Sequence, residues 1–432
     1  MNIKYIFKKY LPFIIILFLI VGSILFIFVS HYKTSREAAN TTASSKLDMT
    51  IVKLEARIQA TPSVVQNYID LSNAYLQKVR ETGDSTYYIK IDDLMNAAEK
   101  IDPTNANVSA TRSSVAIGRH NFVGGKKYAE DALSKNKNRE IYYGLLGDAN
   151  IELGRYDEAV AAFQKMVDLR PGFSSYSRIA YIRELYGDIS GAKETLNLAT
   201  ASGSNFKENV AWAYVELGKL DMRTNLDKAD VDFKQALQIL PTYSQANEGL
   251  GKVAFARGNT DEALAYFNTA LSQLPLAQYS TDLADVYSAI GNTTKRDQYI
   301  SVTEAAYNLA KSSGVNTDLE ESLFLSDHDK NLDEAVNAGT RALAARPSEY
   351  ASDYLAWAHF KKGDFVKAAT FSKNALRLGD FDPLILFHQG MIAYKNGDTV
   401  HAKKYLGESY ALNPNFSILY SSVLKSTLSQ LK

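Results

Sequence analysis

The side chains that could do chemistry are few and scattered. Six histidines stand at His31, His120, His328, His359, His388 and His401, and no H-E-x-x-H pair is among them. Asp327-His328-Asp329 is the densest cluster of potential metal ligands. A metal site needs more convergent donors than that, and the local pattern predicts a solvated turn. There are no cysteines, so disulfides, thiol catalysis and cysteine metal sites are excluded. Gly249-x-Gly251-x-x-Ala254 has the outline of a dinucleotide fingerprint but no preceding strand. Gly124-Gly125-Lys126-Lys127 lacks both the first glycine and the hydroxyl residue of a phosphate loop. The acid pairs Asp157-Glu158, Asp261-Glu262 and Asp333-Glu334 each precede an alanine at fixed spacing. They read as first-turn acids favoured by a helix dipole. The expectation is therefore no catalytic residue, no metal and no cofactor.

The elements that carry these residues repeat. A small residue recurs at Gly147, Ala180, Gly218, Gly251, Ala284, Ala356 and Gly390, in steps of 33, 38, 33, 33, 72 and 34. A glycine seven or so positions later recurs at Gly154, Gly187, Gly258, Gly291, Gly363 and Gly397. A second small residue follows at Ala159, Ala192, Ala229, Ala263, Ala335, Ala368 and Ala402. Small residues let two helix axes approach to about 8–10 Å. The glycine supplies the positive φ that ends the first helix. The step of 72 spans two units, one irregular, and the step of 38 marks an insertion near Arg223-Thr224-Asn225. Two degenerate units precede, one from Tyr68 to Pro103 and one from Ala106 to Asn138, giving about nine in all.

Tyr143-x-x-Leu146-Gly147, Ala159-x-x-x-Phe163 and Pro171, with Leu250-Gly251-x-x-Ala254, Ala263-x-x-x-Phe267 and Pro275, resemble the tetratricopeptide repeat. Residues 331–416 also resemble the C-terminal part of a bacterial group of such proteins, through Leu332-Asp333-Glu334-Ala335, Leu355-Ala356-Trp357-Ala358 and Asn413-Pro414-Asn415-Phe416. The resemblance implies an all-α solenoid of helix-turn-helix units wound as a right-handed superhelix over 47–416. It also implies that the first helices line a concave groove and that such arrays hold proteins. One position after the small column stand Asp148, Tyr181, Lys219, Lys252, Asp285, Trp357 and Met391. The C-terminal end is rich in anchoring side chains, and Tyr350, Asp353, Trp357, Phe360, Phe387, Met391 and Tyr394 are the candidate partner-binding residues. Residues 417–432 read as a capping helix whose outer face meets water, with Ile418, Leu419, Val423, Leu424, Leu428 and Leu431 as its apolar stripe.

Ahead of the array, residues 1–10 are short and basic, and Leu11–Val29 run nineteen residues without a charge. That is roughly 28 Å of helix, close to the thickness of a bilayer's hydrocarbon. A single transmembrane anchor is expected at 11–29, followed by a Thr/Ser/Ala-rich stalk over 30–46. Lys4, Lys8 and Lys9 before the span favour an extracytoplasmic array. Without those three lysines the chain holds 45 basic against 48 acidic residues, which gives no footprint for nucleic acid. The chain thus reads as a membrane-anchored scaffold for a protein or peptide, in envelope or secretion assembly. A small-ligand receptor or enzyme using the groove, and a self-assembling element, stay open as alternatives.

Overall fold

A computed structural model describes residues 43–203, 206–379 and 382–431, and the expected span at 11–29 lies outside them. Among the described residues no helix is long and apolar enough to cross a membrane, and the regular elements are all helical. Contacts divide the chain after Thr50, and the array lies in the unit from Ile51 onward. Helix α1 is Ala43–Ala60. Ten antiparallel pairs follow. They are α2 (Val65–Thr82) with α3 (Tyr87–Ile101), α4 (Ala106–Gly118) with α5 (Phe122–Lys135), and α6 (Glu140–Glu152) with α7 (Tyr156–Leu169). Next come α8 (Phe173–Leu185) with α9 (Ile189–Ala201), α10 (Lys207–Asp221) with α11 (Leu226–Ile239), and α12 (Ser244–Ala256) with α13 (Thr260–Gln273). Then α14 (Ala277–Ala289) meets α15 (Thr293–Ser312), and α16 (Asp318–Asp327) meets α17 (Leu332–Ala345). The last two are α18 (Glu349–Lys362) with α19 (Phe365–Ser372), and α20 (Pro383–Lys395) with α21 (Thr399–Leu412); α22 (Ser421–Gln430) ends the chain.

Each column has its physical role in the packing. A methyl group on Gly147 would stand 2.2 Å from the Phe163 ring, and one on Gly251 would stand 2.7 Å from Phe267. Phe233 is clasped on two sides, by Gly218 of its own pair and by Gly249 of the next. Both glycines of the Gly249-x-Gly251 motif are therefore spent on ring packing. The turn glycines Gly154, Gly187, Gly258, Gly291, Gly363 and Gly397 all have positive φ. The first-turn acids sit where the dipole places them, at the starts of α7, α13 and α17.

The count of ten exceeds the expected nine units by one, the α16–α17 pair, which, like the degenerate unit expected over Ala106–Asn138, keeps the geometry with other residue types. In α4 the small position is Ser113, whose hydroxyl donates to Gly125 O at 2.8 Å; in α16 it is Ser322, donating to Ala335 O at 2.9 Å. Both serines are fully buried, and their hydroxyls satisfy themselves across the helix pair. In the same two pairs the left-handed turn residue is His120, at φ +58°, and Asp329, at φ +52°.

Within 51–432 the array also returns upon itself. Asn316 N donates to Arg119 O at 3.0 Å, and His120 Nδ1 lies 2.8 Å from Asn316 O. Arg346 Nη2 reaches Glu320 at 2.6 Å and its Nη1 reaches Glu152 at 3.3 Å. Tyr156 Oη accepts from Glu349 N at 3.3 Å and from Arg377 at 3.4 Å. The α4–α7 segment is thereby joined to the α16–α19 segment through a partly buried polar seam. Burial pushes Glu152 up from the ordinary carboxylate value, and Arg346 opposes it.

A candidate cleft on the first helices

The first helices α10, α12 and α14 place Lys219, Lys252 and Asp285 on one face, at the position just after the small residue. These three residues, with Gln278 and Asp282, form one side of a cleft of about 730 Å³. The other side is the chain's own C-terminal stretch: Asn413, Asn415, Phe416, Ile418 and Lys425. Apolar side chains are interleaved, among them Met222, Phe255, Leu323 and Tyr354. Its size falls within the range of pockets that accept a ligand or peptide side chains.

The polar side of the cleft is a ladder of opposite charges. Lys219 Nζ lies 2.9 Å from Glu216, and Lys252 Nζ lies 2.5 Å from Glu248 and 3.7 Å from Asp282. His328 Nε2 lies 3.2 Å from Asp285 Oδ1. Burial holds Asp282 well above the ordinary carboxylate value; Lys252 opposes this, and Glu248 and Asp285 add to it. Burial acts on Glu248 in the same sense, but Lys252 and Lys219 outweigh it and hold that carboxyl low. Burial also raises Asp285, against the pull of His328. The two neighbouring carboxyls Glu248 and Asp282 are thus shifted in opposite directions. Among the described residues no group of three or more His, Asp or Glu side chains is placed to hold a metal ion.

The expected solvated turn at Asp327-His328-Asp329 is corrected. Only Asp329 is well exposed, paired with Lys361 at 2.9 Å. The His328 side chain is 2% exposed. Asp327 Oδ1 accepts from Trp357 Nε1 and from Tyr420 Oη, each at 2.8 Å. Asp327 ends α16 and His328 caps it, so the helix places both side chains before the positive φ of Asp329 turns the chain.

The aromatic candidates fall into two groups. Trp357, Phe360, Phe387 and Met391 share one cluster. Trp357 stacks on His388 at 4.1 Å and on Phe360 at 4.6 Å, and Phe387 has no exposed surface. Asp353 is fully buried and lies 2.7 Å from His388 Nδ1. Burial raises its carboxyl, and His388 opposes that. Tyr394 lies at the edge, its hydroxyl 3.4 Å from Gln430. Tyr350 stands apart, its ring tilted against Tyr354 at 6.1 Å and its hydroxyl donating to Asp382 at 3.2 Å. Trp357 and Phe387 are therefore covered, and the cover is Phe416, Tyr420 and Leu424 from the C-terminal stretch. The expected stripe holds at Leu419, Leu424, Leu428 and Leu431, which join this cluster, and at Ile418, which packs on another; Tyr420 belongs to the buried face as well, and Val423, at 36% exposure, faces out. The four-residue spacing Phe416, Tyr420, Leu424, Leu428 carried that signal.

Family models described as tetratricopeptide repeat match residues 141–173 and 226–281. These fall on the α6–α7 pair and on α11 to the start of α14. The chain carries tetratricopeptide repeats at these residues, and its described part is an all-helical, tetratricopeptide-like solenoid. It is 24% identical over 333 residues to the TPR repeat-containing protein MJ1428 of Methanocaldococcus jannaschii, a match covering 75% of this chain. The chain spans about half of that relative's length, at 52%. Among solved structures it is similar to yeast Tom70, at 14% identity and TM-score 0.40, covering 93% of this chain and 96% of that one. The Cut9–Hcn1 hetero-tetramer of the APC/C gives 14% identity and TM-score 0.37 with the same coverage. PilW, a type IV pilus biogenesis factor, gives 15% and 0.37, covering 47% of this chain and 94% of that one.

Proposed function

We propose that this protein is a scaffold that holds a protein or peptide partner in the cleft between α10, α12, α14 and residues 413–425. The observation that carries the reading is the cleft itself, about 730 Å³ of mixed polar and apolar surface. It lies on the face formed by the positions just after the small residue of the first helices, Lys219, Lys252 and Asp285. Aliphatic and aromatic walls give a peptide apolar area to cover, and the charge ladder gives it register. The proposal extends to the setting: a tether through Leu11–Val29, with the array on the extracytoplasmic side, in envelope or secretion assembly. Its support is the nineteen uncharged residues and the lysines ahead of them. The test is to narrow the cleft without touching the core, by Gln278→Arg and Lys219→Glu in the full-length chain. Retention of co-purifying partner should fall at least tenfold with the circular dichroism unchanged. Unchanged retention would remove the cleft from the account.

The carboxyls of Glu248 and Asp282, converging on Lys252 Nζ at 2.5 and 3.7 Å beside the cleft, favour a second reading, a receptor for a small polar ligand. It predicts a bound small molecule in native mass spectra of the extracted chain. A spectrum with the bare polypeptide mass alone would sink it.

A further inference from the structure

A helix that merely caps a repeat stack covers the last pair and touches little else. Residues 416–431 do more. After α21 the chain makes a short non-helical passage and runs onto the first-helix face of earlier repeats. Ile418 packs against a cluster built from α12 to α16, and Phe416 and Tyr420 pack against α18 and α20. The Tyr420 ring is stacked on Phe387 at 5.1 Å and stands edge-on to Trp357 at 5.5 Å. Its hydroxyl donates to Asp327 Oδ1 of α16 at 2.8 Å, beside the Trp357 indole N–H on the same oxygen. Leu424 is wholly buried, and Leu428 and Leu431 continue the contact. The other face carries Ser422, Val423 and Lys425, all exposed. Phe416, Tyr420, Leu424 and Leu428 thus form one stripe at four-residue spacing, laid into a groove as a ligand segment would be.

We propose that the Asp327–Trp357–Phe387 surface is a docking site for an amphipathic segment, and that residues 416–431 are its resident occupant. The partner is a protein that presents the same chemistry: an aromatic residue, a tyrosine four positions on, and aliphatic residues at the next two four-residue steps. It exchanges for the resident by placing its tyrosine hydroxyl on Asp327. This inference rests on the partner-holding reading and names the partner's chemistry. It also gives a role to Trp357, Phe387 and Met391, which lie under the resident. The short tether over 413–415 gives the resident an effective concentration on the order of millimolar. The resident therefore lowers a competitor's apparent affinity without abolishing binding, and locking the resident in place removes that binding.

The absence of native cysteine makes the test specific. Tyr394 and Gln430 face each other across the edge of the site. In the full-length chain, in detergent, Tyr394→Cys and Gln430→Cys are joined by a bis-maleimide with a reducible spacer. The probe is a fluorescein-labelled peptide of residues 416–431, read by anisotropy. The locked chain is expected to bind at least tenfold more weakly than the same chain after the spacer is cleaved. A second chain, Tyr420→Ala with Leu424→Ala, is expected to bind the peptide at least tenfold more tightly than the unsubstituted protein. A peptide carrying Tyr420→Ala should lose that gain. Equal binding by locked and cleaved chains, or binding by neither, overturns the proposal. Should the doubly substituted chain lose helicity, the locked and cleaved forms decide alone. Failure here leaves the cleft at Lys219 and Gln278 standing, because that reading is tested by different substitutions and a different readout.

Discussion

Replacing Gly147 with alanine tests how these repeats are held together. The added methyl would sit 2.2 Å from Phe163 Cε1, 2.5 Å from Cδ1 and 2.8 Å from Cζ, where ordinary contact begins at 3.4 Å. Phe163 is only 2% exposed, so its ring must retreat by about 1 Å into packed surroundings. Overpacking of this kind costs about 1–3 kcal/mol. Alanine in place of glycine inside a helix returns about 1 kcal/mol. The net loss expected is ~0–2 kcal/mol, concentrated in α6 and α7. Phe163→Leu alone should cost about 1–2 kcal/mol from lost apolar volume. The double variant should be more stable than the sum of the two losses by ~1 kcal/mol, because leucine vacates the space the methyl needs. Repeat arrays open locally, so native-state hydrogen exchange of the α6 and α7 amides is the suitable readout. Additive losses, or a stabilised Gly147→Ala chain, would refute the ring-on-glycine account. Gly258 is the control: its φ is +82° and nothing lies near its missing Cβ. Alanine there should cost about 1–2 kcal/mol through backbone strain alone, with no partner able to rescue it.

Three further outcomes follow from buried charge and capping. Burial raises Glu349 to about 7 from its ordinary 4.5. Stability linked to this group is fully present below pH 4.5 and is lost as pH rises through 7. Glu349→Gln, which mimics the protonated form, should therefore gain up to ~3 kcal/mol over the unsubstituted chain at pH 8 and almost nothing at pH 4.5. Urea midpoints at the two pH values decide it, and a gap independent of pH would contradict the assignment. Arg346→Met leaves Glu152 and Glu320 facing each other in the seam. It should weaken the seam by ~1–2 kcal/mol, since both carboxylates keep part of their surface in water, seen as faster exchange at Asn316 N–H, and unchanged exchange would count against the seam. Asn331 caps α17 from φ +37°, its side chain accepting from Glu334 N at 3.3 Å. Asn331→Ala should lose ~2 kcal/mol while Asn331→Gly loses only a few tenths, and equal losses would contradict the cap.

The repeat was legible wherever the small column held glycine or alanine. It went out of focus where Ser113 and Ser322 took that place, because a serine looks polar until its hydroxyl finds a carbonyl across the pair. His120 and Asp329 hid two turns in the same way, since neither residue type advertises positive φ. The floor of the cleft was half legible: Lys219, Lys252 and Asp285 were found by register, while Gln278 and Asp282 were not. Trp357 and Phe387 were correctly placed on first helices, but nothing local announces that residues 416–424 cover them. The same holds for Asp327, whose two donors come from 30 and 93 residues away. The seam joins residues more than 190 positions apart, beyond the reach of any periodicity.

The central claim is that a partner lies along the cleft. The most direct measurement places a photo-crosslinking side chain at Lys219, Gln278 or Asn415 in the full-length chain, and at exposed Val160 or Val231 as outer-face controls. After irradiation in cells, the captured peptides are sequenced by mass spectrometry. The account predicts one protein at all three cleft positions, through neighbouring residues of one segment whose order follows the order of the positions, and none of it at Val160 or Val231. Different proteins at the three positions, or the same capture from the outer face, would contradict it.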